Sequence, residues 1–465
     1  MNTQQHGASR VRRALATAGA VSTIVALVTV GSGVAAAAKV GKKHPSKTKT
    51  GKTVKAGKPK VTDIQWGTVG GQPVDLYTLK GAGGMQVKIS QFGANVQSID
   101  VPNKKGKLVD VVLGFPTLAD YVADFEQGYN KVDWPISGST SGSGDVYFGG
   151  TIGRYANRIA NGTFSLNGTT YKLDTNNGPN SLHGGYLGWN THVWTAAPAT
   201  TKTAASVTMS AIFPAGEGCD TTLTPGCTGF PSAVNASVKF TVTKDNQLQL
   251  AYSATNESPT LATVINLTNH SYFNLGGQAS GNVYSQDLAI DGNQYQPTNP
   301  SQIPAAPYFV NVKGTPFNFL NGHPIGKYLY STNLPDGTTG PIRQLQYAHG
   351  YDHNWVLNDQ GKYRLDAVAE DPDNGITLWE YTDQPGVQMY TSNYLVGDLT
   401  GTTGTTYRQG QAFTLETQHY PDSPNHIGQA GWPSVVLNAG QTFTSKTAYK
   451  FGVKPSGYAT SVHFK

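Results

Sequence analysis

Short stretches of alternating apolar and polar residues recur along the chain. Three of them are residues 85–89 (MQVKI), 207–212 (VTMSAI) and 238–242 (VKFTV). A period of two places alternate side chains on one face, as in a β-strand that buries one side. Apolar residues at helical spacing persist nowhere beyond about two turns. The pattern therefore predicts a protein built mainly of strands.

Turn signals separate these stretches. Residues 161–162, 167–168 and 177–178 are Asn-Gly pairs, which tolerate the positive φ of tight hairpins. The 55 Gly and 26 Pro among 465 residues also interrupt helices frequently. No fixed-period repeat and no linker divides residues 61–465. We therefore expect one all-β domain there, folded as a large antiparallel β-sandwich.

The first 60 residues differ from this domain in charge. They hold twelve basic residues and no acidic one, whereas the whole chain has 34 basic and 28 acidic residues and a net charge of +6. Residues 61–465 are therefore left with 22 basic and 28 acidic residues, a net charge of −6. A mildly acidic domain argues against a nucleic-acid-binding surface.

Residues 1–38 have the pattern of a secretory signal peptide. Arg10, Arg12 and Arg13 precede an uncharged stretch, residues 14–38, that is rich in Ala, Val and Gly and ends in four alanines. An uncleaved membrane anchor is the alternative, because 25 uncharged residues are long enough to span a bilayer. We favour a cleaved signal, because Gly, Ser and Thr lower the hydrophobicity of the stretch. The expected location is secreted or associated with the cell envelope.

Residues 39–60 are predicted to be a Lys-rich disordered linker. Nine lysines lie among Gly, Thr, Pro and Ser, with almost nothing to bury. Two interpretations stay open, namely contact with an anionic cell envelope and a solvated spacer.

The chain has two cysteines, Cys219 and Cys227, in a stretch rich in Gly, Pro and Thr. In an exported protein, a close pair in such a stretch predicts a local disulfide. Two thiols without a neighbouring His make a poor zinc site. We expect a structural link and no metal there.

Candidate chemistry lies in polar, turn-rich segments. Taken singly, each candidate has an ordinary explanation, since His183 and Asp352 suit turns, His270 suits a satisfied buried position, Glu416 suits an outward strand position and Arg158 suits a surface ion pair. Most of the segments combine Asn with His, Tyr or an acid. Together they are hard to explain as solvent-exposed loops without a function. They are GRYANRI (153–159), NSLHGG (180–185), NLTNHSYFNL (266–275), GYDHNW (350–355) and LETQHYPDSPN (415–425).

In this order, the segments resemble those of the aldose 1-epimerases, also called galactose mutarotases. GRYANRIANG and NNGPNSLHGG, TNHSYFNL, GYDHNW and LETQHYPDSPN carry the resemblance, supported by DVVLGF and VQMYTSN. The resemblance implies a galactose mutarotase-like supersandwich in which one sheet face forms an open sugar cleft. It also implies interconversion of the α and β anomers of free aldoses.

The resemblance implies a role for each matching residue. Glu416 is expected to be the general base and His270 the general acid, and ring opening needs both because one proton leaves the C1 hydroxyl while another reaches the ring oxygen. Nothing is oxidised and no nucleotide-binding fingerprint is present, so we expect no cofactor. The expected sugar-binding residues are Arg158, His183, Asp352 and, as a helper, Asn157.

A neutral aldose such as glucose or galactose suits these groups, because they can form hydrogen bonds with sugar hydroxyls. An anionic substrate would require more positively charged residues. Trp355 or Tyr272 could pack on the sugar, although core packing explains most aromatic residues. Residues 124–145 and 219–227 look inserted relative to the family, which weakens a specific assignment to galactose. Two alternatives stay open, a non-catalytic carbohydrate-binding protein on the same scaffold and a glycoside hydrolase, for which Asp352 and Glu416 would form the carboxylate pair.

Overall fold

A computed structural model describes residues 57–130, 145–330, 335–337 and 343–464. The predicted signal peptide and all but the last four residues of the predicted linker lie outside this part of the chain. The first strand begins at Lys60, the last residue of the predicted linker. Among the described residues, no helix has the length and apolar character needed to cross a membrane.

The described residues form strands with a few short helices. From the amino end to the middle of the chain, the strands are β1 (Lys60–Val69), β2 (Gln72–Lys80), β3 (Gln86–Ser90), β4 (Val96–Pro102), β5 (Leu108–Asp110), β6 (Thr151–Ile152), β7 (Arg158–Ile159), β8 (Thr163–Leu166), β9 (Thr169–Lys172), β10 (Ser181–Leu182), β11 (Thr195–Thr200), β12 (Ala204–Phe213), β13 (Val234–Thr243), β14 (Gln247–Asn256), β15 (Thr263–Val264), β16 (Thr268–Asn269) and β17 (Tyr272–Phe273). The remaining strands are β18 (Asp287–Ile290), β19 (Gln294–Gln296), β20 (Val310–Asn311), β21 (His323–Pro324), β22 (Asp352–Val356), β23 (Arg364–Glu370), β24 (Ile376–Thr382), β25 (Gly386–Tyr390), β26 (Val396–Thr400), β27 (Thr406–Arg408), β28 (Phe413–Gln418), β29 (Val436–Leu437) and β30 (Thr442–Val453). The helices are α1 (Leu118–Asn130) and α2 (Gln344–Tyr347), with single 3-10 turns at Ala160–Gly162, Trp189–Thr191, Ile325–Tyr328, Ser423–Asn425 and Ala459–Ser461.

Three sheets build the sandwich. The nine-stranded sheet has the order β11-β12-β13-β14-β30-β24-β23-β18-β21, the five-stranded sheet runs from β1 to β5 in sequence order, and the six-stranded sheet has the order β17-β28-β25-β22-β19-β20. All pairings within them are antiparallel. One apolar core joins inward residues of the three sheets. The predicted all-β antiparallel sandwich is confirmed.

The alternation in the sequence accounts for this core. In β13, Val234, Ala236, Val238, Phe240 and Val242 are buried, and the residues between them are more exposed. Full burial of one such aliphatic or aromatic side chain contributes about 1.5–3 kcal/mol. The Asn-Gly pair at 167–168 forms the tight turn between β8 and β9 with both residues at positive φ, as the sequence predicts.

Helix α1 begins where Thr117 and Asp120 cap each other's backbone, since the Thr117 hydroxyl accepts a hydrogen bond from the Asp120 amide. Its buried face spans Leu118 to Phe125, two turns of helix. The end of α1 falls within residues 124–145, the stretch that looked inserted, whose residues 131–144 lie outside the described part of the chain.

Two carboxyl groups lie side by side in the core. Asp366 of β23 and Glu380 of β24 are both fully buried. Burial raises the pKa of each carboxyl, and the neighbouring Asp366 raises the pKa of Glu380 further. When the pKa of a carboxyl is higher in the folded than in the unfolded protein, the folded protein loses stability as the pH rises. The loss begins above the pKa of the unfolded state, near 4, and continues up to the pKa of the folded state.

We therefore expect Glu380→Gln to stabilise the protein at alkaline pH. The amide removes one charge and can donate to Asp366, so its benefit grows from pH 5 to pH 9 and reaches about 1–3 kcal/mol. Thermal unfolding of both proteins at these two pH values measures the effect, with the exposed Glu257→Gln as the matched control. A difference in melting temperature that is the same at pH 5 and pH 9 contradicts the prediction.

Candidate active site

One face of the six-stranded sheet carries a row of polar side chains. Glu416 of β28 lies opposite Gln388 of β25, which lies opposite Asn354 of β22, which in turn lies opposite Gln296 of β19. The next residue along β28, Thr417, points the other way and contacts the nine-stranded sheet through its hydroxyl. Glu416 therefore faces away from the core between the sheets, although its side chain is buried.

Hydrogen bonds on this face hold the two acidic groups. The Thr414 hydroxyl donates to Oε1 of Glu416 at 2.9 Å. Nε2 of Gln388 donates to Oδ1 of Asp352 at 2.7 Å. Because these donors lie on neighbouring strands, the sheet itself fixes where both carboxyl groups point.

His270 approaches Glu416 from outside the sheet. It directly follows β16. Its amide donates to the carbonyl oxygen of Gly150 at 2.9 Å, and its carbonyl oxygen accepts from the amide of Gly149 at 3.0 Å. Its Nε2 lies 3.4 Å from Oε1 of Glu416. Both residues are buried, 4% and 2% exposed. The acid and the base expected from the sequence therefore converge within a width smaller than one sugar ring.

Burial reverses the order of the two pKa values in this pair. Burial lowers the pKa of His270 to about 3. Burial, and then the charge of Asp352, raises the pKa of Glu416 to about 8. At neutral pH the pair therefore holds one proton, on Glu416. Transfer of that proton to Nε2 gives an ionised carboxylate and an imidazolium without any exchange with solvent.

His183 is oriented by the backbone of Asn157. Both residues have positive φ, 53° and 68°, which only a strongly determined local structure imposes on non-glycine residues. The Asn157 amide donates to Nδ1 of His183 at 3.1 Å, so a neutral ring carries its proton on Nε2. Gly184 follows because a Cβ there would collide with the carbonyl oxygen of Gly153.

Arg158 completes the group. It leaves β7 beside β10, which ends one residue before His183. Its Nε donates to Oδ1 of Asn177 at 3.0 Å, and its Nη2 bonds Oε1 of Gln302 and lies 3.6 Å from Oδ2 of Asp352. All six residues expected at the site from the sequence thus lie in one buried cluster with direct or shared contacts.

The donor set suits hydroxyl groups better than a metal ion. Ligand atoms of His183, His270 and Glu416 lie within 4.8 Å of one another, close enough to be considered for an ion. Metal binding needs a free imidazole lone pair. Since Asn157 holds Nδ1 of His183 as an acceptor, Nε2 offers a proton, which can be donated to a sugar hydroxyl.

The structure distinguishes the two aromatic residues that the sequence suggested as sugar contacts. Trp355 lies in the core, fully buried, and its Nε1 donates to the carbonyl oxygen of Phe317 at 2.9 Å. It therefore does not line the site. Tyr272 lies on the site face with its ring centroid 5.0 Å from that of His270.

Sequence reasoning missed several polar contacts of the site, among them Gln388 and Gln302. Gln388 belongs to the VQMYTSN segment, and strand alternation places it on the face opposite Val387 and Met389 of the core. That signal was available in the sequence. Gln302 has no such pattern, because it lies in a loop at a φ of 61°.

Comparison with known proteins finds relatives along most of the chain. The family model for aldose 1-epimerase matches residues 75–142 and 126–450. The chain is 34% identical to the galactose mutarotases of Bos taurus and Homo sapiens, over 79% and 83% of its length and 92% and 96% of theirs. The chain belongs to the aldose 1-epimerase family. The aldose 1-epimerase of Escherichia coli is 31% identical over 82% of this chain and 96% of its own.

Solved structures of the family share the fold. The galactose 1-epimerase of Lactobacillus acidophilus superposes with a TM-score of 0.65 and 22% identity, covering 85% of this chain and 99% of its own. An aldose epimerase homologue from C. elegans gives a TM-score of 0.61 with 24% identity, over 80% and 96%. Membership in the aldose 1-epimerase family makes the protein an isomerase.

The disulfide expected from the sequence is present in this aldose 1-epimerase family member. Cys219 and Cys227 are bonded, with their Cα atoms 5.5 Å apart. Their loop abuts the turn that follows His183, because the buried carboxylate of Asp174 accepts hydrogen bonds from the amides of Asp220, at 2.7 Å, and Tyr186, at 3.4 Å. The second apparent insertion is therefore not remote from the site.

Proposed function

We propose that this aldose 1-epimerase is exported and interconverts the anomers of a free neutral aldose by acid and base catalysis at Glu416 and His270. The observation that carries the mechanism is the buried approach of His270 Nε2 to Glu416 Oε1, at 3.4 Å. A carboxyl and an imidazole at this distance can serve the two oxygens bonded to C1 of one pyranose.

The reaction needs only the single proton that the pair holds. With that proton on His270, the Glu416 carboxylate removes the proton of the C1 hydroxyl while His270 protonates the ring oxygen, and the bond from C1 to the ring oxygen breaks. The aldehyde then rotates about the bond to C2. For closure, the hydroxyl formed from the former ring oxygen attacks the other face of C1 and gives its proton to His270, while Glu416 returns its proton to the C1 oxygen.

After ring opening, the proton is on Glu416 and His270 is neutral. This is the state favoured by burial, which raises the pKa of Glu416 and lowers that of His270. The buried site thus favours the proton arrangement that accompanies the open-chain sugar. Binding of the closed sugar has to supply the opposite arrangement, through contacts that stabilise the ionised pair.

The other residues of the cluster are placed to hold the sugar. Arg158 and Nε2 of His183 donate hydrogen bonds, and Asp352 accepts them. Similarity to galactose mutarotases supports galactose, and glucose is the other neutral aldose that these groups suit. Asp352 accepts a hydrogen bond from Nε2 of Gln388 at 2.7 Å, and its Oδ2 lies 3.6 Å from Nη2 of Arg158. These contacts favour a sugar-binding role for Asp352 over the role of a second carboxylate in hydrolysis.

Export is supported by the composition of residues 1–38, and envelope contact by the lysines of residues 39–60. Salt extraction of full-length protein from cells, compared with a variant lacking residues 39–60, separates envelope contact from a solvated spacer. We expect the full-length protein to need more salt for release.

Polarimetry tests the catalytic proposal. Purified protein is expected to accelerate the change in optical rotation of freshly dissolved α-galactose and α-glucose. Sugar binding without acceleration would instead support a non-catalytic carbohydrate-binding protein. Release of reducing sugar from a glycoside would support a hydrolase, and either result would overturn the proposal.

A further inference from the structure

The ring of Tyr147 lies against both histidines of the site. Its centroid is 4.7 Å from that of His183 and 5.7 Å from that of His270. The two imidazoles are themselves in contact, with centroids 5.2 Å apart. Neither the sequence motifs nor the proposed mechanism uses this tyrosine.

Tyr147 differs in exposure from the other tyrosines near His270. Tyr272 and Tyr390 are buried, 3% and 8% exposed, whereas Tyr147 is half-buried. Among the described aromatic rings that contact His270, Tyr147 is therefore the one with a surface left for a ligand arriving from solvent.

The backbone holds Tyr147 in an unusual conformation. Its φ is 58°, a left-handed value that is uncommon for a bulky residue. Its amide donates to Oδ1 of Asp145 at 3.1 Å, and its carbonyl oxygen accepts from the amide of Gly150 at 2.9 Å. The same Gly150 accepts from the amide of His270 through its carbonyl oxygen. Such positions persist where surrounding structure over-determines them, which occurs often at ligand sites.

The anchor of Tyr147 belongs to the first apparent insertion. Asp145 is its last residue and also accepts from Nδ2 of Asn190 at 3.0 Å. Asp124, its first residue, accepts from the amide of Val146 at 3.0 Å. Asp124 and Asp145, the two ends of this stretch, therefore fix the segment that presents Tyr147.

We propose that Tyr147 is a sugar-binding residue that packs its ring on the C–H face of the bound sugar and covers the His183–His270 pair from the solvent side. The inference rests on the proposed function. An aromatic ring suits this position because a pyranose offers an apolar C–H face beside its hydroxyls, and aromatic side chains bury large apolar areas.

Two substitutions separate the ring from the hydroxyl. Tyr147→Ala is expected to raise KM for galactose and glucose about tenfold and to change kcat much less, because it removes binding present throughout the reaction. Tyr147→Phe keeps the ring and is expected to stay within about threefold of the parent in KM. Tyr363→Ala, on an exposed tyrosine that lies outside the motifs and stacks on Tyr381, is the matched control and is expected to have the parent's KM.

Binding is measured separately by saturation-transfer NMR with galactose, which needs no catalysis. If the parent proved inactive, the proposed function would fail, while weaker binding to Tyr147→Ala than to Tyr147→Phe would still support contact with the sugar. Should Tyr147→Ala fail to fold, Tyr147→Leu keeps the bulk without the aromatic face. Parent-like KM and binding in the folded variant, or a fall in kcat alone, overturns the proposal.

Discussion

Glu416→Gln is expected to lower kcat by about 10²–10⁴-fold and to leave the protein folded. The amide has almost the shape of the carboxyl and can still accept the hydrogen bond of the Thr414 hydroxyl. It cannot take the proton of the C1 hydroxyl, nor exchange a proton with His270. Polarimetry on α-galactose measures the loss, and thermal unfolding checks the fold.

The melting temperature of this variant is itself informative. Burial raises the pKa of Glu416 to about 8, so ionisation of the carboxyl costs stability at high pH and the neutral amide removes that cost. We expect the variant to melt no lower than the parent, with Glu257→Gln as the exposed control. A folded Glu416→Gln protein with kcat within a few-fold of the parent would rule out Glu416 as the base.

The fold was predictable from the strands that bury one face, such as β13 and β14. In β13, the spacing of Val238 and Phe240 is enough to identify both the strand and its inward side. What alternation cannot give is the partner of each strand. Glu416 and Gln388 lie opposite each other, but nothing in their two strands specifies that pairing, since it results from the packing of the whole sandwich.

The site was predictable by resemblance and not by spacing. Asn157 and His183 lie 26 positions apart, and their contact depends on two residues at positive φ. No period or propensity indicates such a contact, because it is set by the turns around it. Tyr147 was missed for a related reason, since a tyrosine next to Phe148 reads as an ordinary core residue.

The sequence alone also does not distinguish the two arginines of GRYANRI. The sequence presents Arg154 and Arg158 as equivalent guanidinium groups, and only resemblance points to Arg158. Their partners distinguish them. Arg158 meets the side chains of Asp352 and Gln302 at the site, whereas Arg154 is fully buried and its Nε lies 3.2 Å from Oε1 of Glu217.

Arg154 links the backbone segments on either side of the second apparent insertion, residues 219–227. Nη1 donates to the carbonyl oxygens of Pro231 and Ser232 at 2.8 and 2.7 Å, and Nη2 donates to that of Pro214 at 3.2 Å. Glu217 is held in turn by Nε1 of Trp189 at 2.8 Å. A planar group with several donors is needed to reach all of these acceptors, which lysine cannot replace.

Arg154→Met is therefore expected to destabilise the protein by about 3–5 kcal/mol, because it leaves the Glu217 carboxylate buried without a counter-charge and several carbonyl groups without donors. Urea unfolding of the parent and the variant measures the loss. Arg154→Met combined with Glu217→Gln removes the unpaired charge and is expected to recover part of it. If the double variant were no more stable than Arg154→Met, the loss would come from the carbonyl contacts and not from the ion pair. Retention of parent stability in Arg154→Lys would contradict the need for a guanidinium.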